Sequence, residues 1–200
     1  MATYLQGILG PFSGKVGTVV GYISRGKAIM RSLSKSSKKL SPAQKISVNK
    51  MSYLSKKLHL FKEAINYGYT DDSQRAAWNM AVQANYQLLE PDGDLFQLTP
   101  EAIKLSNGSE TFNTKLTRTG DALNIAWTAP TAESPFYGAT GVLALHNPDN
   151  GRVLTQVFPL SSGEADFTIS AYLADNDTKL HAYTFVSTGT LSSSSLHSII

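Results

Sequence analysis

The side chains best equipped for chemistry in this chain are its cations. Twelve of its eighteen Lys and Arg lie in the first 62 residues, and none of its fifteen Asp and Glu does. Residues 1–62 therefore carry +12 and the remainder −9, an opposition hidden by the net +3. Each phosphate met by such groups releases condensed counterion, giving an affinity that falls steeply with salt and reads no base sequence. The acidic part of a neighbouring copy is an alternative anion, because opposed charge fields steer association. The candidate polyanion- or partner-binding residues are Lys15, Arg25, Lys27, Arg31, Lys35, Lys38, Lys39, Lys45, Lys50, Lys56 and Lys57.

Other reactive patterns fall short of a site. Gly10-Pro11-Phe12-Ser13-Gly14-Lys15 has three residues between its glycines, where a phosphate-binding loop needs four, and Val16 where a hydroxyl should hold magnesium. His59, His146, His181 and His197 show no metal-ligand spacing. Asp92 and Asp94, like Asp175 and Asp177, lack the remaining oxygens of a calcium loop and suit turns and caps. No serine sits in a Gly-x-Ser-x-Gly elbow. The expectation is a protein that is not an enzyme, with no cofactor and no metal.

The composition sets the frame for these cations. Two hundred residues, 42% of them hydrophobic, suffice for one large or two small cores. With no Cys, stability must come from packing. The first residues lack the basic-then-apolar order of a signal peptide, and no apolar run reaches the roughly 18 residues of a spanning helix. A location in the cytosol, or in a particle assembled there, is expected.

The elements that must position the cations follow from periodicity. Gly7, Gly10, Gly14, Gly17 and Gly21 recur every three or four residues, but a water-exposed helix would lose about 1 kcal/mol at each, and Pro11 breaks it further. An extended arm leading into a hairpin is expected: Val16 to Ile23, a turn at Ser24-Arg25-Gly26, and a return from Lys27 to Leu33. After a Ser/Lys-rich linker, Ser41 and Pro42 open a helix. Its apolar stripe runs Met51, Leu54, Leu58, Phe61 and Ile65 at spacings of 3, 4, 3 and 4. A second helix from Gln74 to about Leu89 presents Ala77, Ala81 and Ala84, and Glu90-Pro91-Asp92-Gly93-Asp94 then ends the helical region.

From about Leu95 the period becomes two. Residues 102–105, 115–117, 123–128, 142–146, 153–158, 167–169 and 180–187 read as seven short strands, the number expected of an immunoglobulin-like or fibronectin type III-like sandwich. Leu123, Ile125 and Trp127 alternate inward, Tyr183 fits the conserved tyrosine of that class, and residues 146–151 form a hairpin turn. The tail from Leu191 is either a last strand or a frayed end. The expected fold is α+β, with a basic glycine-rich arm, hairpin and linker (1–40), a helical hairpin (41–90) and a C-terminal β-sandwich (95–200).

GILGPFSGKVGTVVGYISRGKAIMRSL, AAWNMAVQANYQ and EAIKLSNGSE, taken together, resemble an uncharacterised bacterial family of about two hundred residues, collinear over nearly the whole chain. That resemblance implies the same partition of the fold and no activity. Three functions remain: an assembly subunit forming a homo-oligomer or larger protein assembly through its basic arm, a DNA- or RNA-binding protein using the basic half, and a surface adhesion module using the sandwich.

Overall fold

A computed structural model describes residues 2–3, 12–24, 26–33, 39–70, 76–92, 95–170, 173 and 178–200. The chain forms two compact units, residues 1–45 and 46–200.

The first unit is a four-stranded antiparallel sheet. Its strands are β1 (Ala2–Thr3), β2 (Gly14–Val16), β3 (Val19–Ser24) and β4 (Lys27–Ser32), in the order β1-β4-β3-β2. The β3–β4 hairpin is the expected one, with Gly26 at φ 74°. The single strand expected from Val16 to Ile23 is instead two: Gly17, at φ 59°, turns the chain between β2 and β3. The arm before the hairpin thus supplies sheet strands at its described ends. Ser41 and Gln44 then bond reciprocally: the Gln44 N–H donates to Ser41 Oγ (3.3 Å) and the Ser41 N–H to Gln44 Oε1 (2.9 Å), capping the helix that follows.

That helix, α1 (Pro42–His59), ends before the turn at Leu60 and Phe61, and α2 (Lys62–Gly68) follows. The uninterrupted helix to Ile65 expected from the stripe is therefore broken, although Leu54, Leu58, Phe61 and Ile65 are all fully buried. The second expected helix is α3 (Ala77–Tyr86); residues 71–75, where it was to begin, lie outside the described part. A hairpin of β5 (Glu90–Asp92) and β6 (Leu95–Gln97) stands where the sequence suggested only a break.

The remainder is a sandwich of two antiparallel sheets. One sheet, in the order β11-β8-β7, holds β7 (Thr114–Thr119), β8 (Ala122–Trp127) and β11 (Glu164–Thr168). The other, β10-β9-β12-β13, holds β9 (Thr140–His146), β10 (Val153–Pro159), β12 (His181–Ser187) and β13 (Leu196–Ile199). The tail is thus a last strand. Between the sheets Leu123 and Ile125 are fully buried, and Trp127 donates its indole N–H to the Leu160 carbonyl at 2.9 Å. Tyr183 belongs to the opposite face of β12, where its hydroxyl donates to the Pro100 carbonyl at 3.0 Å.

The central strands are buried on both sides, as their nearly continuous apolar sequences require. Leu143 and Leu145 of β9 point into the core between the sheets, whereas Val142 and Ala144 join Leu54, Leu58, Phe61, Ile65, Tyr183 and Phe185 in a second core beneath the helices. The second unit therefore has three layers: helices, four-stranded sheet and three-stranded sheet. The composition break near residue 90 divides segments of sequence that share one core.

Residues 102–105, expected as a strand, form no ladder. A 3-10 turn at Pro100–Ala102 leads into a stretch whose backbone is bonded to a side chain instead. Asn85, fully buried on α3, accepts from the Lys104 N–H (2.8 Å) and donates to the Lys104 carbonyl (2.8 Å) and the Ala81 carbonyl (2.9 Å). Asn85→Ala leaves the Lys104 N–H without this partner inside the fold, while the carbonyl keeps only the Tyr69 hydroxyl of its two side-chain donors. It is expected to cost about 2–3 kcal/mol, read as a lower urea midpoint at unchanged slope. Gly68 permits the same segment to approach closely, since a Cβ there would lie 2.0 Å from the Leu105 carbonyl oxygen.

Candidate interaction surface

Side chains along a strand alternate between faces, and directly paired residues share one. In the first unit Lys15 pairs with Val20 and Val20 with Arg31, so these three form a row across β2, β3 and β4. The next row on that face is Tyr22 with Ile29, and the next is Ser24 with Lys27. Lys15, Lys27 and Arg31 are all exposed. The Arg31 guanidinium lies 5.7 Å from the centre of the Tyr22 ring, within cation–π range. One face of the sheet therefore carries every described cation of its strands, with an aromatic ring between the two charged rows.

Among the described residues the other face carries no charge. It consists of Gly14, Val16, Val19, Gly21, Ile23, Ala28, Met30 and Ser32. Val16 and Ile23 are 60% and 64% exposed, which matters because they are the apolar residues such a face should cover. Phe12 packs over its centre: a Cβ on Gly21 would meet the Phe12 carbonyl oxygen at 2.5 Å and its ring at 2.7 Å. Gly21 is the one buried residue among those described in residues 1–45, and neither hydrophobic core includes a residue of this unit.

The remaining candidate cations are placed differently. Lys39, Lys45 and Lys56 are exposed, while Lys50 and Lys57 are half-buried. Lys50 Nζ lies 4.4 Å from the Tyr86 ring centre and 5.7 Å from that of Phe96, so its charge is engaged within its own unit. Arg25, Lys35 and Lys38 lie outside the described residues.

Register also unites three histidines that are scattered in the sequence. His146 on β9 pairs with His181 on β12, and Tyr183 with His197 on β13. His181 Nδ1 and His197 Nε2 share a hydrogen bond at 2.8 Å, and the His146 and His181 rings lie 6.1 Å apart. His146 is buried beside Phe61, and its Nδ1 has no hydrogen-bond partner among the described residues. Burial, then the charge of Lys57 and then His181, lowers its pKa to about 4. Burial first, and His181 second, also lower that of His197. Among the described residues no three His, Cys, Asp or Glu are grouped so as to hold a metal ion.

Tyr69 donates its hydroxyl to the Lys104 carbonyl at 3.0 Å, and burial pushes its pKa up to about 12. A cleft of about 340 Å³ in the second unit runs between Asn107–Glu110, Phe136 and Thr190–Ser192, and Glu110 is the one titratable residue among its described lining. Among the described residues no helix is long and apolar enough to cross a membrane.

No family model and no curated protein matches the chain. Among solved structures it is similar to the fibronectin type III domain of human collagen alpha-1(XX) chain, at 14% identity and a TM-score of 0.36, over 48% of this chain and 87% of that one.

Proposed function

We propose that this protein is a non-catalytic assembly subunit, joined to further copies of itself through the uncharged face of its N-terminal sheet. The observation carrying this reading is a sheet with no second layer among the described residues of its own unit. An isolated sheet of this size needs a packed hydrophobic face to be stable, yet Val16 and Ile23 stand exposed on a face free of charge. Charge supports a copy of the same chain as partner. Residues 1–45 hold eight cations and no acid (+8), whereas residues 46–200 hold ten cations and fifteen acids (−5). Opposed charge steers the encounter of copies, while the apolar face makes the contact; if that face meets a different surface of the next copy, the association closes into rings or continues as fibres. Membership of the uncharacterised two-hundred-residue family and a place in the cytosol, or in a particle assembled there, belong to the same proposal.

Light scattering on the intact chain tests it. An oligomer is expected at both about 50 mM and about 500 mM salt, because an apolar contact is not screened as exposed ion pairs are. Val16→Lys combined with Ile23→Lys places charge on the contact at two already exposed positions and is expected to yield monomer. Monomeric wild-type protein, or an oligomer indifferent to both lysines, would refute the reading.

A further inference from the structure

We infer that the opposite, cationic face of the N-terminal sheet is a binding platform for single-stranded nucleic acid. This inference does not rest on the assembly reading, since it uses the other face of the sheet. Lys15 and Arg31 stand two strand spacings apart, roughly 10 Å, and Lys27 lies four residues from Arg31 along β4, roughly 13 Å. Tyr22 and Ile29 occupy the row between them. Cations border an aromatic ring on a face free of acids.

This arrangement suits a strand whose phosphates meet the charged rows while a base stacks at the centre, the combination by which sequence-tolerant single-strand binders work. Arg31 contributes in two ways. Its charge meets phosphate, and its planar guanidinium, over the Tyr22 ring, presents a face on which a base can stack in turn. A duplex offers the face only phosphates, since its bases are already stacked. An acidic protein surface would use the cations but gives Tyr22 no comparable role. The absence of any Asp or Glu from residues 1–62 removes local repulsion of phosphate.

Fluorescence polarisation with a labelled 20-nucleotide single strand and the matching 20-base-pair duplex, using the full chain, tests the inference. The single strand is expected to bind at least about tenfold more tightly than the duplex, with affinity falling log-linearly with salt. A variant with Lys15→Gln, Lys27→Gln and Arg31→Gln is expected to lower that salt slope by about 2, at roughly 0.7 per lost phosphate contact. Tyr22→Leu is expected to weaken the single strand about tenfold and to leave the duplex unchanged. Lys115→Gln, an exposed change on the sandwich, should alter neither. Val16→Lys with Ile23→Lys should retain binding, which separates failure of the assembly reading from failure of this one.

Equal affinity for the duplex, a salt slope unmoved in the triple variant, or a single-strand affinity unmoved by Tyr22→Leu would each overturn the inference. Loss of the oligomer in the triple variant, with no nucleic acid bound by the wild type, would overturn it too and assign the face to the acidic unit of a second copy. Circular dichroism of each variant distinguishes these outcomes from unfolding.

Discussion

Phe61→Ala is expected to destabilise the second unit by about 3–5 kcal/mol, the range for deleting a fully buried aromatic side chain. Phe61 is inaccessible to solvent and sits in the turn between α1 and α2, where it contacts both the helix layer and the sheet. Its ring centre lies 5.3 Å from that of Tyr183, edge to face, and 5.4 Å from that of His146. Aromatic pairs of this geometry contribute about 0.5–1.5 kcal/mol beyond area burial. The vacated space lies beneath a backbone turn held by the Phe61 N–H to the Leu58 carbonyl and the Ile65 N–H to the Phe61 carbonyl, so collapse around it is restricted. The check is urea unfolding followed by tryptophan fluorescence, with Trp78 against the core beneath the helices and Trp127 between the sheets as separate reporters. A loss below about 1 kcal/mol would mean that the helix layer packs on the sheet less closely than described.

Acid should weaken the same region. Folded His146 gains its proton near pH 4, whereas an unfolded histidine gains it near 6.5. Between these values the unfolded chain binds more protons, so stability falls as pH falls through that window and is unaffected by this group above it. The full difference corresponds to roughly 3 kcal/mol. His197, also lowered, acts with the same sign. The charge already facing His146 from α1 is Lys57, so protonation brings like charges together where helix meets sheet. Carboxylates protonate in the lower part of the same window, so the informative quantity is a difference. Between pH 7.5 and 4.5, His146→Leu is expected to lose about 2–3 kcal/mol less stability than the wild type. Equal losses would show that His146 titrates normally in the folded protein.

The sequence announced these features unequally. Leu123, Ile125 and Trp127 declare the core between the sheets because alternation is a local property of one strand. The stripe through Leu54, Leu58, Phe61 and Ile65 likewise identifies buried residues, although the turn at Leu60 and Phe61 leaves its periodicity almost undisturbed and so passes unseen. The cationic face is half legible. Lys27 and Arg31 share parity within one strand, but adding Lys15 requires knowing that Gly17 reverses the chain, and a glycine-rich run marks no single glycine as the turn. The histidine group is illegible from spacing, because residues 146, 181 and 197 meet only through the registers of three strands. Asn85 is hidden for a similar reason: a helical asparagine gives no local sign that it will replace a ladder for Lys104.

The sharing of β9 and β12 between two cores has a consequence for dissection of the protein. On β9, Val142 and Ala144 face the helices while Leu143 and Leu145 face the second sheet. Neither core can dissolve without exposing one side of strands that the other core requires, so the helix layer and the sandwich are expected to melt as a single cooperative unit. A chain cut at the composition break near residue 90 would present Val142, Ala144, Tyr183 and Phe185 to water as one adhesive sheet face. The smallest self-sufficient fragment of the second unit therefore begins within α1, before Leu54, rather than at the first strand of the sandwich.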